Sequence, residues 1–397
     1  MERSGAALER VIVITDIPSP YQVELFDALT TAQVFALRVI YVRAAAPERQ
    51  WKMTKCAHQH AFLSDHRFTR RDANHWLNWG QLAIFGHYRS ALTRRLMRRR
   101  AGSAKPWCFW GERPGARYRG ALGRWFRRWG LRTLHSQAVP IWGIGQWAVD
   151  GYSEEFGRER AYFNVPYFSD LERFSQCTRP LETDGSEPCG PEPCGPESSR
   201  MDPAQSGATR WLLYSGSLSH RKGVDLLAHA FAKVALEHPS LGLAVTGAGE
   251  LENKLKLRLK NLAGQVRFLG FKSWDELPAV YASAQGLIAP SRYDGWGMII
   301  PEALAAGLPV IATRWMGAAI DLLNSSNGWV VTQGDVRAIE DALRSFAALD
   351  KTQLQAMASA ARQTVASHRL EDGVARFVAA ARGTVAQHGL TRCTSLT

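Results

Sequence analysis

Short apolar runs alternate with longer stretches of helical spacing along most of the chain. In the first half the runs are VIVIT (11–15), LRVIYVR (37–43), KPWCFWG (105–111), AVPIWGIG (138–145) and RAYFNVPYF (160–168). Each has the length of a buried strand, and Arg-rich stretches with helical periodicity lie between them. A second series starts at Trp211 with WLLYSGSL, followed by LGLAVTGAG, VRFLGF, GLIAPS, PVIAT and GWVV. Between its first two members, GVDLLAHAFAKVALEHP places Val224, Leu227, Phe231 and Val234 on one helical face. Strands that alternate with helices predict parallel, doubly wound sheets. Two such halves predict a ligand cleft between the carboxyl ends of both sheets.

The stretch between the two series is of another kind. Residues 175–209 are dominated by Pro, Gly, Ser and Glu, with EPCGP duplicated head to tail. Such a composition buries too little apolar surface to order itself and reads as a linker or loop. The expected organisation is an N-terminal domain over 1–174, the linker over 175–209, and a second domain over 210–375. A final helix and tail over 376–397 are expected to pack back on the first domain.

Composition narrows the classes. A 397-residue chain with 46% hydrophobic residues is long enough for two domain cores. The apolar run near the N-terminus is broken at Asp16, which predicts a strand and not a signal peptide. No run of about eighteen apolar residues predicts a membrane span. The six cysteines are scattered without a C-x-x-C pair, which argues for a reducing cytoplasm and against a disulfide scaffold or a structural zinc.

Charge is uneven. Of the net +13, residues 1–170 carry 26 Lys and Arg against 14 Asp and Glu, an excess of 12. RYRGALGRWFRRWGLR (117–132) interleaves Arg with Tyr118, Trp125, Phe126 and Trp129, and RRLMRRR (94–100) adds to it. An aromatic, Arg-rich amphipathic helix reads as an interfacial segment on an anionic membrane, with a solvated structural face as the alternative. No nucleic-acid-binding signature accompanies the charge, so nucleic acid is not an expected partner.

The candidate chemistry lies in strand-to-helix turns. In YSGSLSHRKGVDLL a strand ends at Gly216 and a helix begins after Arg221, Lys222 and Gly223. Helix N–H groups and two adjacent cations suit a diphosphate; the alternative is a solvated Arg-Lys pair. In VTGAGELENKLK, Gly247 lies in a second such turn, but there is no G-x-G-x-x-G, so a dinucleotide cofactor is not supported. In SRYDGWGMIIPEALAAGLPVIAT, Gly295 and Gly297 would let the backbone approach a ligand closely. Glu302 in a first helical turn could accept the vicinal hydroxyls of a ribose, and Asp294 on the turn the hydroxyls of a hexose. The alternative is a capping Asp294 and a Glu302 that only complements the helix dipole. In the first reading neither acid matters to thermal stability; in the alternative their replacement lowers stability and leaves transfer normal.

The succession S-G-S-L-x-x-R-K-G, V-T-G-x-G, V-R-F-L-G and P-S-x-Y-D-G-W-G-x-x-x-x-E-A-L-A-A-G-L-P-V-I-A-T resembles the family-four retaining glycosyltransferases of GT-B fold, used in bacterial polysaccharide and lipid-linked saccharide assembly. The resemblance covers residues 211 to about 335, and extends to ITDIPSPYQVELFDAL (14–29). It implies two Rossmann-like domains facing a cleft and a metal-independent transfer of a hexose from a nucleotide-diphosphate sugar, with retention. Arg221 and Lys222 would meet the diphosphate, Glu302 the ribose, and Asp294, Gly295, Trp296, Gly297 and Met298 the donor sugar. Gly216 and Gly247 would line the donor site, and Pro20 and Tyr21 the acceptor side. The family's E-x7-E pair falls on Asp294 and Glu302, so the first acid is shorter here. Ser217 stands where an arginine is common. The N-terminal pocket histidine is not evident; Glu112 in CFWGERPG is the nearest polar candidate, and His135 lies further along. No cofactor and no metal are implied. The expected acceptor is a saccharide or polyprenyl-linked saccharide at the cytoplasmic membrane face. A nucleotide-sugar epimerase and a non-catalytic binding homologue are the alternatives.

Overall fold

The structure is a computed structural model that describes residues 8–45, 55–115, 120–176 and 209–394, with side chains as far as residue 389. The expected linker over 175–209 therefore lies almost entirely outside the described residues, as does the start of the segment 117–132. The chain forms two compact units, one of residues 1–170 with 369–397 and the other of residues 171–368. These divisions fall four residues before the expected 174 and seven before 375.

Among the described residues, unit 1 is built on seven strands: β1 (Arg10–Thr15), β2 (Ala36–Tyr41), β3 (Gln59–Phe62), β4 (Leu82–Phe85), β5 (Trp107–Gly111), β6 (Ile141–Gly143) and β7 (Tyr162–Asn164). They run parallel in the order β3-β2-β1-β4-β5-β6-β7. The order reverses at β1, as a doubly wound sheet requires. Residues 11–14, 82–85 and 107–110 are buried almost completely, because helices cover both faces of a parallel sheet. Two short strands, β3 and β4, were not evident from the apolar pattern.

The long helix Leu370–Thr394 belongs to this unit. Phe377 sits in a ring cluster with Phe26, Trp110 and Trp142, and the Trp142 indole donates to the Thr384 hydroxyl at 3.0 Å. Gly373 lies against Phe168, where a Cβ would come within 2.5 Å of the ring, so this helix contact requires the missing side chain.

Among its described residues, unit 2 has six parallel strands: β8 (Arg210–Ser215), β9 (Leu241–Thr246), β10 (Val266–Gly270), β11 (Gly286–Ala289), β12 (Val310–Thr313) and β13 (Gly328–Val331). Their order is β10-β9-β8-β11-β12-β13, again with the reversal at the first strand of the series. Helix Val224–Glu237 buries Val224, Leu227, Phe231 and Val234, as its spacing predicts. Helix Glu172–Gln176 precedes the undescribed stretch yet packs here, with the Phe174 ring 5.1 Å from Tyr281.

Candidate functional site

In unit 2 the turns after β8, β9 and β11 leave the same edge of the parallel sheet. Gly216 follows β8 with φ +148° and Gly247 follows β9 with φ +127°. A Cβ on Gly247 would lie 1.9 Å from the Gly216 carbonyl oxygen, so these two turns touch backbone to backbone. Leu218 N–H donates to the Ala248 carbonyl at 2.9 Å and seals that contact.

The cationic turn is a single 3-10 turn, His220–Lys222, that passes through Gly223 at φ +73° into the helix Val224–Glu237. No side chain caps that helix. A Cβ on Gly223 would fall 2.0 Å from the Pro290 carbonyl oxygen, so the turn abuts the segment after β11. Arg292 fixes the two together: its backbone N–H donates to the Arg221 carbonyl at 2.9 Å. Its guanidinium forms a bidentate pair with Asp225 at 2.7 Å for both bonds and also donates to the His220 carbonyl.

This bracing brings Asp294 to the cations. Lys222 Nζ donates to Asp294 Oδ2 at 2.5 Å, and Arg221 lies 3.9 Å from the same oxygen while donating to the Tyr293 carbonyl. Lys222 and Asp294 keep only 12% and 18% of their side-chain surface exposed, whereas Arg221 is at 40%. Asp294 is thus an ion-pair partner of the cationic turn. The backbone of Asp294 forms a bridge to Met316 and donates to the Trp315 carbonyl, which ties the turn to the segment after β12.

Glu302 is placed differently from the expectation of an accessible first-turn acid. It is 2% exposed and accepts the Tyr281 hydroxyl at 2.8 Å. The carboxylate therefore has a structural partner, and its expected indifference to thermal stability is corrected. Trp296 is also interior at 2% exposure, with its ring stacked on His368 at 5.8 Å, so what it can offer a ligand is its backbone. Gly297 turns at φ +89° toward Met316, and Met298 begins the helix Ile299–Ala305. Gly295 is buried. Ser217 does not substitute for an arginine: its carbonyl accepts the Tyr214 hydroxyl and its own hydroxyl meets Ser219.

Unit 1 presents its own carboxyl edge. Pro20, buried, and Tyr21 open the helix Pro20–Thr31 after β1, with the Tyr21 ring 4.6 Å from Tyr167. Glu112 is exposed one residue past β5. His135 stacks on Phe156 at 4.3 Å. The sequence reading missed a further polar group on this edge. Asp16 follows β1 and accepts two hydrogen bonds from Arg43, which follows β2. His87, two residues past β4, places Nε2 3.8 Å from Asp16 and leaves its buried Nδ1 without a hydrogen-bond partner among the described residues. Burial holds the His87 imidazole below its ordinary pKa, although Asp16 opposes this. The signal was the short run LAIF ending at Gly86.

Residues 198–364 match the family model described as glycosyl transferases group 1. Two relatives align over part of the chain. An uncharacterised glycosyltransferase of Methanocaldococcus jannaschii is 33% identical over 124 residues, 30% of this chain and 32% of its own length. A GDP-mannose-dependent monoacylated alpha-(1-6)-phosphatidylinositol monomannoside mannosyltransferase of Corynebacterium glutamicum is 24% identical over 223 residues, 54% of this chain and 55% of its own. The chain thus spans about a third to about half the length of these relatives. Among solved structures, the Anabaena protein HepE in complex with UDP superposes with a TM-score of 0.70 at 14% identity, over 94% of this chain and 99% of that one. Two doubly wound parallel-sheet units and this likeness over nearly the whole chain give the molecule the GT-B fold.

Proposed function

We propose that the protein is a retaining glycosyltransferase that moves a hexose from a nucleotide-diphosphate sugar to a saccharide or lipid-linked saccharide. The observation that carries this reading is the convergence of Lys222, Arg221 and Asp294 beside the glycine turns at 216, 223 and 247. Two cations, with an uncapped helix N-terminus next to them, favour a diphosphate. Lys222 pairs with Asp294, and a diphosphate would take over that cation. Asp294 would then turn to the hydroxyls of the sugar.

The reaction follows from these roles. The bond from the anomeric carbon to the diphosphate oxygen breaks, and Arg221 and Lys222 stabilise the charge that develops on the leaving group. The acceptor hydroxyl bonds to the same face of that carbon, and its proton passes to the departing phosphate. Asp294 positions the sugar and does not act as nucleophile, and no metal is assigned to the step. Glu302, held by Tyr281, is assigned to the ribose. The acceptor is assigned to the carboxyl edge of unit 1, where Asp16, His87, Glu112, Pro20 and Tyr21 stand.

An anionic membrane surface on the cytoplasmic side is proposed as the place of reaction. Helix Ala121–Gly130 supports it: Leu122, Trp125, Phe126 and Trp129 recur at helical spacing on one face and are exposed, Trp125 at 66%. Exposed Arg124, Arg128 and Arg132 accompany them. No helix of the described residues is long and apolar enough to cross a membrane. The test is a transfer assay on a panel of nucleotide sugars, with the anomeric configuration of the product read by NMR. Retention is expected; an inverted product, or release of a free epimerised sugar, would overturn the proposal.

A further inference from the structure

The start of edge strand β3 holds a cluster that the transfer reaction does not use. Cys56, His58 and His60 each offer a ligand atom, and these atoms lie within 4.8 Å of one another. The cluster escaped the cysteine arithmetic because only one cysteine contributes.

The hydrogen bonds around the two imidazoles fix their tautomers. His58 donates from Nδ1 to Asp27 Oδ1 at 2.5 Å, and that oxygen also accepts the backbone N–H groups of Ala57 and His58 at 2.9 Å. His60 donates from Nδ1 to the His58 carbonyl at 3.2 Å. In both rings the proton is thereby held on Nδ1, and the lone pair belongs to Nε2. A carboxylate on one ring and a backbone carbonyl on the other is the outer-shell arrangement that orients metal-binding histidines. At His58 the Tyr41 hydroxyl meets Nε2 at 3.0 Å.

We propose that Cys56, His58 and His60 bind a zinc ion, with Asp27 and the His58 carbonyl as its outer shell. One thiolate and two imidazoles are a borderline-soft donor set, and a water completes the tetrahedron. Ligand atoms in such a tetrahedron lie about 3.4–3.8 Å apart, so the side chains need to close by about 1 Å. Zinc takes cysteine as the thiolate, so the Cys56 thiol must give up its proton. On binding, that proton leaves to solvent, the sulfur–zinc bond forms, and the Tyr41 hydroxyl gives up the His58 lone pair. The ion would hold a four-residue, half-buried edge strand to the helix Pro20–Thr31 and to the segment before β3.

Cobalt(II) added to the chelator-treated full-length chain tests this. One equivalent should give the thiolate-to-cobalt charge-transfer band and the intense visible bands of tetrahedral cobalt, and zinc should displace it. Cys56→Ser should abolish the charge-transfer band, and Asp27→Asn should weaken cobalt binding about 10- to 100-fold. Tyr41→Phe, which removes the competing hydroxyl, should bind as well or better. The wild-type chain supplies a measurement that needs no variant: zinc should protect Cys56 from alkylation mapped by mass spectrometry, and chelation should restore labelling. A band that persists in Cys56→Ser, or equal Cys56 labelling with and without zinc, would overturn the proposal. Neither readout involves sugar transfer, so its failure leaves the transferase reading untouched.

Discussion

Asp294 and Glu302 stand eight positions apart in one motif, yet the fold gives them different surroundings. Glu302 is interior and partnered by Tyr281, so Glu302→Gln should lower thermal stability by the equivalent of about 1–3 kcal/mol as well as weaken nucleotide binding. Melting curves check this, and an unchanged melting temperature would contradict the structural role. Asp294→Asn acts elsewhere: it leaves Lys222 without its carboxylate partner but closer to what a phosphate needs. That variant should spare nucleoside diphosphate binding and impair transfer, measured by titration and by rate. His87 sets a pH dependence. Burial lowers its pKa below the ordinary 6.5, so between the folded value and 6.5 the unfolded chain binds more protons. The stability tied to neutral His87 is complete above that range and is lost as pH falls through it. His135 is displaced in the same direction by burial. The melting temperature should therefore decline as pH is lowered from about 7 to about 5, and His87→Asn should flatten that slope.

Among the elements, the turns carry the strictest requirements. Gly223 combines φ +73° with a Cβ position 2.0 Å from a backbone oxygen, and backbone cannot move aside as a side-chain tip can. Gly223→Ala should cost about 1–3 kcal/mol or more and separate the cationic turn from the segment after β11, read as a lower melting temperature with weaker nucleotide binding. The arginine-rich helices divide in a way the sequence did not show. Arg100 of helix Ala91–Ala101 is buried, with its guanidinium donating to the carbonyls of Leu77, Gly80 and Pro106, and burial lowers its pKa to about 10. It is a structural clamp and not part of a basic surface. Trp125 and Phe126 of Ala121–Gly130 do face outward, so replacing both with Ser should leave the melting temperature unchanged and reduce co-sedimentation with anionic vesicles. Equal sedimentation would remove the membrane role. Legibility followed burial. The strands of unit 2 were readable because each is a bounded apolar run, as was the inner face of Val224–Glu237. β3 was not, because QHAF is a half-buried edge strand with two polar residues. β4 is the exception: LAIF is fully buried, but it lies inside the Arg-rich stretch between β2 and β5 that reads as helical, and with it went the candidacy of His87.

At the scale of the molecule, the two halves were visible as two series of strands, but the crossings between them were not. Helix Glu172–Gln176 joins unit 2 because Phe174 finds Tyr281, a contact about a hundred residues distant that no local pattern announces. Residues 369–397 return to unit 1 through Phe377 and Thr384. Tyr281 is thus shared between a crossing helix and Glu302, which couples packing in unit 2 to the group assigned to the ribose. The edge of unit 2 around Lys222 is proposed to bind a nucleoside diphosphate. Calorimetric titration of UDP, GDP and ADP into the wild-type chain and into the Arg221→Ala, Lys222→Ala double variant tests it most directly. At least one nucleotide should bind the wild type, and its affinity should fall about 10- to 100-fold in a double variant with an intact circular dichroism spectrum. No binding to the wild type, or equal affinity in both proteins, would contradict the account.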